Sequence, residues 1–153
     1  MKRKATIAIL AILVVGISLF GIKFYKDYKE FSNFRAVLDE AYIPLIKETA
    51  DYFTDYTSFT NELELSEWKV NEGFDRNIDL NNQFEEAEVK ILSESVEYEN
   101  AQKLKENVLE TISMYEVALD ASYNETMDSD EYDNYMKLLS FQIEEMNEIL
   151  EEH

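Results

Sequence analysis

Residues 5–22 read ATIAILAILVVGISLFGI, without one charged side chain. Eighteen residues of helix span roughly 27 Å, close to the hydrocarbon thickness of a bilayer. Inside lipid only a helix or a closed barrel satisfies its own backbone, and one segment cannot close a barrel. The run therefore frames the rest of the chain. Residues 1–4 form a basic tail, 5–22 a transmembrane signal-anchor helix, and 23–153 an acidic domain hung from it. A cleaved signal peptide is the alternative. It calls for a shorter apolar core and an A-x-A-like site. Phe20-Gly21-Ile22-Lys23-Phe24 contains no small-x-small pair, which favours a retained anchor.

Lys2, Arg3 and Lys4 lie before the run, and Lys23, Lys26 and Lys29 after it. A four-residue tail with three positive charges resists translocation, so the N-terminus is placed in the cytoplasm and the domain outside it. Lys23, Phe24, Tyr25, Lys26 and Tyr28 then suit the outer interface, where amphipathic rings settle and lysines reach headgroups. Nothing in the run matches small-xxx-small, so the anchor carries no dimerisation signal of that kind.

Up to Arg35, seven basic residues face only Asp27 and Glu30, a net +5. The formal charge of the whole chain is −19, which leaves −24 for the remainder. Such a body repels nucleic acid and anionic lipid, and attracts basic protein surfaces or divalent cations. Cysteine is absent, which removes disulfides, thiolate metal sites and lipidation of a cysteine after the run.

Heptad spacing governs the domain. Phe24, Tyr28, Phe31, Arg35, Leu38, Tyr42, Leu45, Thr49, Tyr52, Tyr56, Phe59 and Leu63 alternate gaps of four and three. Pro44 falls inside this stripe without shifting its phase, which predicts a kinked helix rather than a broken one. From Asn61 to Asn82 the pattern loosens. Asn61-x-x-Glu64 predicts a short capped helix closed by Gly73, in a loop region that holds Trp68 and Phe74. Asn82-x-x-Glu85 predicts the next start. A stripe from Leu80 to Leu119 then keeps phase with no Gly or Pro, which predicts one helix of about 40 residues. A break near Ser93–Asn100, where Glu94 interrupts the stripe, is the alternative. Asp128 and Glu131 predict a last start, followed by Tyr132, Met136, Leu139, Ile143, Met146 and Leu150.

The fold expected is all-α: a transmembrane helix followed by an antiparallel three-helix coiled coil, or a four-helix bundle if the second stripe breaks. In the three-helix arrangement the first helix rises from the membrane, the second returns and the third rises again. Loop 61–82 then caps the far tip.

Motifs for chemistry are sparse. The only histidine is His153, which argues against His-based triads and zinc sites. Three glycines, two of them in the apolar run, leave no phosphate loop. Asp128–Asp133 resembles a calcium loop in composition but has Tyr132 and Asp133 where an oxygen ligand and glycine are needed. Glu85, Glu86 and Glu88 could face a di-metal core, but the Glu-x-x-His pairs of such sites are missing. We therefore expect no enzyme, cofactor or metal, but a single-pass protein of the cell envelope acting on another envelope protein as scaffold, adaptor or inhibitor. A ligand-sensing or cation-binding bundle is the second expectation. Trp68 and Phe74 are the candidate partner-binding residues, because tryptophan combines large apolar area with a polar N–H. Their competing role is to plug the helix ends.

Overall fold

The computed structural model describes residue 23, residues 25–124 and residues 129–151. The expected anchor at 5–22, the basic tail, Phe24 and Asp128 lie outside them. No helix among the described residues is long and apolar enough to cross a membrane.

Residues 25–41 form helix α1, and α2 follows at Ile43–Ser58. The two are nearly one helix. Tyr42 alone leaves regular geometry, at φ −108° and ψ −47°. Its N–H still donates to the Leu38 carbonyl at 2.9 Å, and its carbonyl accepts from Ile46 N–H at 3.0 Å. Pro44 sits in the first turn of α2, where a missing N–H costs little. The stripe keeps its phase, so Phe31, Leu38, Tyr42, Leu45, Thr49 and Tyr52 are all buried. Phe34 and Phe53 are buried too. A strict heptad reading misses them because a globular bundle buries a wider face than a coiled-coil seam.

The region expected to be a loop is helical. Helix α3, Glu62–Trp68, passes through one wide π-helical turn, Lys69–Gly73, into α4, Phe74–Ser93. Asn61 caps α3 as expected, its Oδ1 accepting from Glu64 N–H at 2.9 Å. Gly73 does not close this helix, and Asn82 does not start the next. The buried positions explain why. They run Trp68, Gly73, Asn77, Leu80, Phe84, Ala87, Ile91, with one gap of five that the π turn absorbs. A search for gaps of three and four loses the pattern at that extra residue.

The second correction concerns the long stripe. Helix α4 ends at Ser93 and α5 begins at Glu99, so the break near Ser93–Asn100 is the arrangement observed. Helix α5 runs Glu99–Asn124 and α6 runs Ser129–Glu151. Among the described residues the chain is thus an all-helical bundle of four long rods, not a three-helix coiled coil. Cross-helix pairs fix its course. Asp55 meets Arg76 and Glu40 meets Lys90, so α4 runs antiparallel to α1–α2. Asn77 meets Leu119 and Phe84 stacks on Tyr115, so α5 reverses again. Glu110 bonds Gln142, and Lys103 lies near Ile149, so α6 returns. The path is up-down-up-down around one core, and α1–α2 is roughly 50 Å long at the usual helical rise.

A buried polar network pins α2, α4 and α5 in register. Ser122 Oγ donates to the Leu119 carbonyl at 2.8 Å, so the Tyr52 hydroxyl donates to Ser122 Oγ at 3.0 Å. Asn77 Nδ2 donates to both Tyr52 Oη and the Leu119 carbonyl. Its own Oδ1 accepts from Asn81 Nδ2 at 3.0 Å. These polar groups are satisfied, which is what makes their burial tolerable.

Candidate protein-docking surface

The two residues singled out by the sequence separate in the structure. Trp68 is 9% exposed and belongs to the core. Its ring lies 5.4 Å from Tyr52, 5.5 Å from Phe59 and 6.5 Å from Tyr56. Gly73 makes its seat: a Cβ there would stand 2.8 Å from the indole Cζ3. The glycine is needed for close approach, since its own φ is an ordinary −61°.

Phe74 is 42% exposed and packs on Tyr123 of α5 with ring centroids 5.2 Å apart. It heads a flank of α4 that sequence inspection missed. Phe74, Ile78, Glu85, Val89 and Leu92 follow at gaps of four, seven, four and three, which aligns them along one side of the helix. Ile78 is 44% exposed, Leu92 54% and Val89 68%. The core face, Leu80, Phe84, Ala87 and Ile91, lies beside this flank, so the apolar residues on it are surplus to the core. Their signal in the sequence was present but mixed with the core stripe at the same spacing.

Carboxylates interleave with these apolar groups. Burial, then Glu88, then Glu85, hold the Glu116 carboxyl above the ordinary carboxylate range. Glu116 of α5 thus shares a negative field with two carboxylates of α4. Near the lower end, Lys105 is turned inward and donates to the Leu92 and Glu94 carbonyls at 3.0 and 2.6 Å. The flank thus carries two open apolar pairs, Phe74 with Ile78 and Val89 with Leu92, and Glu85 lies between them.

The acids of α4 do not turn together toward the core. Glu85 and Glu86 are exposed and Glu88 is half-buried, while Phe84 and Ala87 take the core positions. No group of three metal-ligating side chains gathers among the described residues. Asp130 and Glu131 sit in the first turn of α6, where negative charge favours a helix start.

Of the expected membrane-interface residues, Lys23, Tyr25, Lys26 and Tyr28 are exposed. Lys26 pairs with Glu97 at 3.1 Å, so this end of α1 lies beside the α4–α5 connection. Comparison with protein families, with curated proteins and with solved structures finds no match to this chain.

Proposed function

We propose that this chain is a single-pass membrane protein whose acidic helical bundle stands outside the cytoplasm and holds another envelope protein, with no chemistry of its own. The observation that carries this reading is the α4 flank. Phe74, Ile78, Val89 and Leu92 remain exposed beside a core that does not use them, Glu85 lies in their line, and Glu88 and Glu116 share its negative field. Exposed apolar groups in a row mark interaction surfaces, and the rim sets the partner's chemistry: an apolar face flanked by Lys or Arg. The anchor reading of residues 5–22 supplies the placement. The bundle end that holds residue 25 and the connection at 94–98 then faces the bilayer, and the ends of α2 and α5 face away from it.

The test uses the full chain in native membranes with a photoreactive residue replacing Glu85. A cross-linked partner should disappear with Val89→Asp and in high salt, while the melting temperature stays unchanged. An adduct indifferent to both overturns the docking assignment. Protease added to intact spheroplasts should digest the bundle, and protection of it reverses the orientation.

A further inference from the structure

Helix α6 packs closely on α5 but stands off from α2, and a groove of about 390 Å³ opens between α2 and α6. That size falls in the range of small-molecule sites, about 300–1,000 Å³. Phe53, Tyr115, Tyr132, Met136 and Ile143 supply apolar and aromatic walls. Three of the hydroxyls facing it already use their protons. Thr54 and Thr57 already donate to the Ala50 and Phe53 carbonyls at 2.8 Å, and Ser140 to Met136 at 2.9 Å. Their oxygens keep only lone pairs to offer. Asp133 is the one charged residue of the lining, and no Lys or Arg joins it. The Tyr132 hydroxyl is buried and has no hydrogen-bond partner among the described residues.

The single carboxylate, the free lone pairs and the aromatic walls together favour an occupant with donors, positive charge and an apolar body. A carboxylate or phosphate would meet the Asp133 carboxylate with no Lys or Arg to offset it. We propose that the α2–α6 groove binds an organic monocation of the arylalkylammonium class, with its ammonium at Asp133 and its ring between Phe53 and Ile143. The aromatic walls add attraction, because a cation is held by the face of a ring. The negative body of the chain raises the local concentration of such a ligand. This inference concerns a face other than the α4 flank and does not depend on a protein partner.

The experiment uses the full chain in nanodiscs, with empty discs as reference. 2-Phenylethylammonium, 2-phenylethanol and 3-phenylpropionate are titrated separately and followed by saturation-transfer NMR and by the Tyr132 and Tyr115 ring signals. The cation should saturate one site. The alcohol should bind about fivefold more weakly, the ratio that a partly exposed ion pair of about 1 kcal/mol supplies. The carboxylate should show no saturable binding. Asp133→Asn should remove the preference for the cation over the alcohol. Ile143→Trp should fill the groove and abolish binding, with helicity checked by circular dichroism. Asp133 lies on the exposed rim, so its variant decides the matter if Ile143→Trp disturbs folding. Equal binding of all three probes, no saturation by the cation, or a cation preference unchanged by Asp133→Asn overturns the proposal.

Discussion

The chain turns back on itself at residues 59–61 and again at 94–98, and the two turns are built differently. At the first, the stop and the restart are local. Asn61 caps α3 from its own position, and Tyr56, Phe59 and Trp68 pack across the turn. At the second, the caps come from far along the chain. Glu30 of α1 accepts from the N–H groups of Glu97 and Tyr98, the latter at 2.6 Å, and so serves the N-terminus of α5. Lys105 reaches back from α5 to the Leu92 and Glu94 carbonyls, which α4 leaves open at its end. A carboxylate at a helix start and an ammonium at a helix end both suit the helix dipole. One end of the bundle is therefore an aromatic plug with a local cap. The other is a polar clasp that exists only when three helices are assembled.

Breaking the plug should have the largest effect. Trp68→Ala should cost about 3–5 kcal/mol, as for a buried ring, measured by chemical denaturation. A loss under about 1 kcal/mol would mean that the ring is not the buried plug described here. Gly73→Ala sharpens the same region. Helix propensity alone favours alanine by about 1 kcal/mol, but the added methyl meets the indole, so a net loss of about 1–3 kcal/mol is expected. A stabilised variant would show that the indole has room to move.

The polar clasp should be weaker and should act on one end only. Glu30→Ala should cost about 1–2 kcal/mol, the range of a lost helix cap. Hydrogen exchange should rise in residues 97–101 and stay level near Asn61. Asn61→Ala is the converse, at about 1 kcal/mol, with faster exchange confined to residues 62–65. If either substitution loosens both ends equally, the two turns are not independent.

The smallest effect belongs to the acidic flank. The raised proton affinity of Glu116 means that the folded state holds its proton at a pH where the unfolded chain has released it. Its ionisation therefore costs stability at neutral pH, and the cost disappears as pH falls through the folded value. Glu116→Gln should raise the unfolding free energy slightly at pH 7, by no more than about 0.5 kcal/mol. That advantage should shrink as the solution is acidified. An advantage independent of pH would place its origin outside the titration.

The sequence by itself determined the helical class, most of the inward face of each helix, the phase through Pro44 and the Asn61 cap. Each of these is written within a few residues, because side-chain period and capping act over one or two turns. The course of the chain was decided elsewhere. The π turn shifts the core pattern by one residue, so Trp68 and Gly73 looked like loop residues until their five-residue spacing was seen in place. The break at 94–98 has no Gly or Pro to announce it. Its only trace was a pair of opposite charges, Glu94 and Lys105, at positions that the stripe reserves for apolar groups. Glu30 lies more than sixty residues from the N–H groups that it caps. The exposed flank of α4 was likewise hidden, since core and surface residues there share one spacing. Only packing against α5 decides which of two adjacent stripes is buried, because each helix has more apolar surface than its neighbours can cover.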